Sequence, residues 1–529
     1  MRAPVRAPSF GALAAAAATF LLALPVTFSA GTYLDELTYL GHTRRVLAGE
    51  VMYRDFFEFL APLSTYLPVP LFWLVGPSIV AARLLVDVLL AIAGACLYRL
   101  ARLQGLPPWA AALPGPLVVA TVYLAAPGYS HHWVVQPFLW GAVLAASLAM
   151  ERDRAPWWLG CGVLVGLAGL VLQSDGTALV AALVAWLALD VLVGGRAVAR
   201  AATRLTWVLA GAALPLLGVA LYFAAHGAFG AAIYDTWLWT LSHYKQAGRI
   251  NDVKLLTDLS PLLATTLPGF KLWKWYGHAV LVLGTMLLPL AMAGVLLARA
   301  AGLAGTWWRG ERWGLATARL AFLALVLLAL EGVLVRGKAD FTHDLYALPA
   351  SLLVATVLAW RWRALLPGPE LAAARALPLA ALLAFGAVGL AVNGDDYASD
   401  PERRLAWDGP EGRVAREPVI AYLRAHARVG DRLVVFPLGS LYYFRALPPA
   451  TRFTHMLDPA EGYYDRNDFG AFWGEAAVAR PRFLVYWPVA PGAPVPVPPL
   501  PGYKLVYAPD VPYLGAACHA YVYERSSRS

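Results

Sequence analysis

Two adjacent carboxylates, Asp35 and Glu36, follow closely on an apolar run long enough to cross a bilayer, and they open a stretch dense in charge that includes Arg44, Arg45, Glu50, Arg54, Asp55 and Glu58. An ionised carboxylate can take a proton from a hydroxyl, and an adjacent one resists joint ionisation and so tunes its neighbour. A guanidinium in the same stretch can grip a phosphate through two parallel hydrogen bonds. None of these charges belongs in hydrocarbon, where each would cost roughly 2.5 to 3.5 kcal/mol. Residues 31–66 therefore lie in water or in a polar cavity at a membrane face. Within them Leu37, Leu40, Val46 and Leu47 recur at near-helical spacing, which predicts an amphipathic helix along the interface with the acid pair near its start.

Asp35 is the candidate general base, with Glu36 assisting; the simpler role for either is that of an acid favoured by the helix dipole at a helix start. Arg54 is a candidate phosphate ligand beside Asp55, the alternative being an ion pair between the two. Arg83 falls inside the next apolar run one turn before Asp87, a spacing that predicts mutual neutralisation, with phosphate contact as the other option. Secondary candidates are His131, beside His132, and Asp175, in a brief polar break between two apolar runs. Adjacent histidines point in different directions on a helix and are poor joint metal ligands. No metal or other cofactor is indicated, although a divalent metal is compatible with the chemistry. The chain carries neither a P-loop nor a dinucleotide fingerprint, which argues against ATP hydrolysis.

The elements that must position these groups belong to a membrane protein. Of 529 residues 60% are hydrophobic and only 14% charged, with a mean hydropathy of +0.59. Apolar windows predict about eleven transmembrane helices, at roughly 9–30, 78–98, 109–127, 133–150, 157–172, 176–193, 205–224, 278–298, 317–335, 346–359 and 377–393. Arg2 and Arg6 put the N-terminus in the cytoplasm. Every loop then assigned to the inside carries arginine, among them Arg102, Arg154, Arg204, Arg319 and Arg361. This asymmetry accounts for the net charge of +9 without nucleic acid. The loops at 31–77, 128–132, 173–175, 225–277 and 336–345 fall outside, with all that follows Asn393.

The expected fold is an all-α polytopic membrane domain over residues 1–393, including interfacial helices in the first outer loop at 31–77, and a small C-terminal α/β periplasmic domain over 394–529. Short β-like runs at 432–436, 483–486 and 503–507 and a helical stretch at 419–428 mark that domain. The three cysteines, Cys96, Cys161 and Cys518, suggest neither an internal disulfide nor a metal site.

The first outer loop resembles that of the GT-C fold glycosyltransferases that use polyprenyl-phosphate-linked sugars, the group of protein mannosyltransferases and aminoarabinose transferases within and around glycosyltransferase family 39. The resemblance rests on Asp35-Glu36, Gly49-Glu50, Tyr53-Arg54-Asp55-Phe56 and Ala61-Pro62-Leu63 before Arg83. The later segment Arg336 to Tyr346 is similar to one that approaches the lipid phosphate in that group. The resemblance implies Arg336, Lys338, His343 and Tyr346 as donor phosphate contacts, beside Arg54. It also implies a multi-pass inner-membrane enzyme with its active site facing the periplasm. Its donor would be a polyprenyl-phosphate sugar and its acceptor a glycan, lipid or protein, among membrane lipids. A lipid-linked glycan transporter or flippase, a glycan ligase or polymerase, and a non-catalytic scaffold are the alternatives. A transporter would place its ionisable groups near the bilayer midplane, whereas here they crowd one face. The arginine asymmetry makes its own prediction: alkaline phosphatase fused after Asn393 is active, and a stable but inactive fusion would reverse the topology.

Overall fold

The computed structural model describes residues 10–31, 34–243, 272–308, 313–336, 341–363, 371–399, 405, 409–454, 466–511 and 518–526. Among them eight helices are long and apolar enough to cross a membrane, and three shorter apolar helices, Pro108–Tyr123, Ala155–Val171 and Leu348–Trp362, occupy the remaining expected positions. Among the described residues the full-length spans number eight, and the helix that holds the third short segment runs from Phe341 to Trp362. Pro114 and Pro116 interrupt the first of the three, because proline removes a backbone donor and crowds the preceding turn. A fourth short apolar stretch, Leu63–Val75, lies inside the first loop, where no span was expected.

The first helix, α1 (Phe10–Ala23), packs on α5 (Ile79–Leu103), and between them in sequence run α2 (Leu34–Leu47), α3 (Leu63–Tyr66) and α4 (Val69–Val75). Ser78 caps α5 by accepting from the Ala81 amide. Helices Ala155–Val171 and Val198–Ala225 meet through glycine, a Cβ at Gly162 falling 2.0 Å from the Val208 carbonyl oxygen and one at Gly211 2.1 Å from that of Leu159. Without a hydrophobic force between helices in lipid, such close backbone approach is what packing has to work with.

Side-chain pairs sort the loops into two ends, in the grouping the arginine pattern predicts. At one end Arg204 meets Asp153 at 2.9 Å and Asp190 at 2.6 Å, Arg319 meets Glu151 at 2.6 Å, and Arg361 donates to Gln104 at 2.9 Å. At the other, the first loop gathers Tyr129, Gln173, His226 and Trp239.

The C-terminal unit is α/β. Its sheet has the order β1-β2-β4-β3, from β1 (Leu433–Pro437), β2 (Phe483–Val489), β3 (Tyr503–Tyr507) and β4 (His519–Arg525). β1 and β2 are parallel, as their helical crossover requires, and the other pairs are antiparallel. Three strands and the helix Pro418–His426 fall where the sequence places them, while β4 is additional. The membrane helix Ala372–Ser399 continues past residue 393 before this unit begins.

Gly211→Val tests the tight crossing: it forces two backbones apart and lowers thermal stability by about 1 to 3 kcal/mol, the usual cost of overpacking, as read from melting in detergent.

Candidate functional site

The acid pair opens α2, and its two members have opposite fates. Helical geometry turns successive side chains about 100° apart, so Asp35 is exposed while Glu36 is 1% exposed. Glu36 accepts from Arg83 Nε at 2.8 Å and Nη2 at 2.7 Å, and its Oε1 also takes the Tyr129 amide at 2.9 Å. Arg83, 0% exposed, spends further donors on the carbonyls of Ser29 at 2.9 Å and Gly31 at 2.5 Å. The arginine thus joins α5 to the segment that leads into α2.

The expected Arg83–Asp87 neutralisation is corrected by this arrangement. The ion pair of Arg83 is with Glu36, and Asp87 takes hydroxyls from Thr27 at 2.5 Å and Tyr123 at 3.0 Å. The two hydroxyls hold the Asp87 carboxyl by hydrogen bonds, while the guanidinium has its bidentate partner in Glu36.

The C-terminal unit covers α2. Thr38 hydrogen-bonds Ser440 at 2.6 Å, His42 Nε2 lies 2.8 Å from the Thr454 hydroxyl, and Arg44 donates to the Phe444 carbonyl at 2.6 Å. The apolar side, Leu37 and Leu40, enters the main core.

His131 is drawn to the same place, its Nδ1 lying 2.5 Å from the Tyr39 hydroxyl and its ring tilted 39° against that of His132, with centroids 3.8 Å apart. Glu36, Arg83 and His131 therefore gather around the first turns of α2. Arg54 and Asp55 lie farther along the loop. Arg54 is exposed, pairs with Asp55 at 2.8 Å and donates to the His226 carbonyl at 3.0 Å. Asp55 is held below the usual carboxylate range, first by the Arg54 hydrogen bond, and it accepts the Val51 amide at 2.7 Å. Asp175 sits in the first turn of Gln173–Leu192 beside the Ser174 hydroxyl, and Gln173 reaches the Phe59 carbonyl at 3.1 Å. Lys338 lies outside the described residues. Arg336, His343 and Tyr346 belong to helices Leu315–Arg336 and Phe341–Trp362, but their side chains lie outside them too.

Three groups escaped the sequence reading as site residues. Glu58, 3% exposed, faces His42 Nδ1 at 3.0 Å and takes the Leu60 amide at 3.0 Å. Asp235, also 3% exposed, takes a backbone hydrogen bond from Glu58 and leaves Oδ2 with no hydrogen-bond partner. Burial, above all, pushes the Asp235 carboxyl up to about 7. A signal for Glu58 was available: it is a lone carboxylate between Phe57 and Phe59, just before Ala61-Pro62. Asp235 and His42 had none, since each is defined by partners far away in sequence. Among the described residues no group of three or more His, Cys, Asp and Glu side chains is placed to hold a metal.

A bundle of membrane helices, short helices in the first loop and a C-terminal α/β unit clasped over that loop together make the GT-C fold. The solved structures that share it include two from different organisms. The crystal structure of ArnT from Cupriavidus metallidurans bound to undecaprenyl phosphate matches at a TM-score of 0.55 with 15% identity, over 98% of this chain and 98% of that one. The oligosaccharyltransferase of Archaeoglobus fulgidus in its apo form matches at 0.54 with 11% identity, over 90% of this chain and 69% of that one. No protein-family description and no curated protein matches the sequence.

Glu36→Ala leaves Arg83 buried without its carboxylate, so it should destabilise the protein by about 3 to 5 kcal/mol in thermal melts; an unchanged melt would deny the pair its structural role. Asp235 sets a pH signature. Its folded proton affinity lies above its unfolded one, so its contribution is favourable below about pH 4 and is lost as pH rises through about 7. From pH 5 to 8 the melting temperature of the wild type should fall relative to that of Asp235→Asn, and parallel curves would show that the carboxyl titrates normally.

Proposed function

We propose that this protein is a multi-pass inner-membrane glycosyltransferase that moves a sugar from a polyprenyl-phosphate donor to an acceptor on the periplasmic face. The observation that carries the reading is the first loop. It presents one exposed carboxylate, Asp35, next to a buried one, Glu36, that is locked to Arg83. The fold shared with ArnT, whose structure holds undecaprenyl phosphate, supports a lipid phosphate as the donor's carrier.

In the proposed reaction Asp35 takes the acceptor hydroxyl proton as that oxygen bonds to the anomeric carbon. The bond from that carbon to the phosphate oxygen breaks, and the polyprenyl phosphate departs with the electron pair. Attack from the face opposite the leaving group inverts the anomeric centre. Glu36 serves by position, its charge already committed to Arg83, so that Asp35 keeps a fixed place on a turn that cannot shift. Phosphate contact is assigned to Arg54, Arg336, Lys338, His343 and Tyr346, by the similarity of their segments to those of the enzymes named above. An arginine released from a surface ion pair such as Arg54–Asp55 loses little, because exposed pairs contribute little.

Asp35→Asn keeps the size and hydrogen-bonding reach of the side chain but cannot accept the proton. Transfer should fall by about 10² to 10⁴ while donor lipid binding is retained. Arg336→Ala and Lys338→Ala should instead weaken donor binding. Purified variants in one nanodisc preparation, assayed for both transfer and lipid binding, make the comparison. Full activity in folded Asp35→Asn removes Asp35 as the base.

A further inference from the structure

Three arginines converge where the C-terminal unit meets the membrane domain. Arg44 of α2 donates to the carbonyls of Phe444 and Tyr443, and Arg424 donates through Nε and Nη2 to that of Arg445, at 3.0 and 2.7 Å. All three carbonyls lie at the end of the short helix Ser440–Arg445. Arg445 completes the group with its own guanidinium, which pairs with Glu411. Among the described residues Glu411 is the one carboxylate paired with any of the three.

Capping of helix carbonyls explains a single cation, since the dipole of a six-residue helix is weak and falls off within a turn. It does not explain three crowded together. The crowding has a cost: after burial itself, Arg424 lowers the proton affinity of Arg44, and Arg44 helps push that of Arg445 down to about 10. Arg445 Nε is buried with no hydrogen-bond partner. An anion added here relieves the repulsion and meets donors already in place.

The neighbourhood fixes what kind of anion. Glu411 also takes the Ile79 amide at 2.6 Å and the Ser78 hydroxyl at 3.1 Å, so the cluster stands at the very start of the membrane-crossing helix α5. Arg445 donates to the Pro77 carbonyl at 3.4 Å, and just before it α4 turns Trp73, Leu74 and Val75 outward, 75%, 70% and 61% exposed. The same short helix is fastened to the arginines from behind, through the Phe72–Phe444 ring contact. Cations at the start of a membrane-crossing helix beside an exposed apolar ridge match a molecule with a phosphate at one end and acyl chains at the other.

We infer that Arg44, Arg424 and Arg445, with the Trp73–Val75 ridge, form a binding site for the headgroup of an anionic membrane lipid. The site stands apart from Asp35 and does not depend on the proposed transfer reaction. Its occupant ties the C-terminal unit to the bilayer and to the first loop at once.

The test titrates the purified full-length protein in a neutral detergent with dioctanoyl phosphatidylglycerol, dioctanoyl phosphatidylcholine and inorganic phosphate, reading bound lipid by native mass spectrometry. Phosphatidylglycerol should bind in preference to phosphatidylcholine. Arg424→Gln, a change at an exposed side chain, should weaken it by about tenfold, and Trp73→Ser should weaken it as well. Inorganic phosphate should not displace it. Equal binding of the two lipids overturns the site, as does unchanged phosphatidylglycerol binding in Arg424→Gln that melts like the wild type. Displacement by phosphate alone would make it a site for a free anion and overturn the lipid assignment. Should Arg424→Gln fail to fold, the lipid preference and Trp73→Ser decide, and indifference to Trp73→Ser counts against the inference.

Discussion

The buried Glu36–Arg83 pair is the constraint on which the face of this protein depends. Two charges removed from water repay their desolvation only when nearly every donor and acceptor is used, and here the guanidinium also meets backbone carbonyls while the carboxylate also meets an amide. The pair therefore specifies as much as it stabilises. It joins the exit of the first membrane helix, the start of α2, the body of α5 and the Tyr129 segment at one point. Asp35 inherits a defined position from its neighbour's confinement.

A second layer of constraint comes from above. The C-terminal unit satisfies Thr38, His42 and Arg44, three polar residues of α2. The loop's far end is held the same way, with the Phe57 amide on the Arg452 carbonyl at 3.1 Å and the Phe57 ring against Trp239 and Phe453. The first loop is in this sense a middle layer, packed on the bundle below and roofed by the α/β unit.

Local pattern made the membrane helices, the two ends of the bundle and most of the small sheet readable from sequence, because hydropathy, arginine bias and β-rich runs act over a few residues. α2 was readable as a helix for the same reason. Its surroundings were not. Arg83 illustrates why: spacing offers Asp87 as a partner one turn away, and no local signal reveals that Thr27 and Tyr123 already serve Asp87. His42 and Asp235 likewise gain their character only from chain that returns from a distance. β4 escaped notice although it alternates, with Ala520 and Val522 buried between less buried neighbours, because a short run close to the chain end offers few periods to read.

The clasp over α2 joins residues 402 and 412 positions apart, Thr38 to Ser440 and His42 to Thr454. During synthesis the first loop emerges early, and its polar face must wait through the insertion of every later membrane helix before its partners exist. Contacts of such sequence separation form last and at the greatest loop-closure cost. The loop that bears Asp35 is thus completed only after the chain has been made as far as Thr454. A molecule halted within the bundle would carry its carboxylates on an unroofed helix, so the order of assembly itself withholds the finished face from incomplete chains.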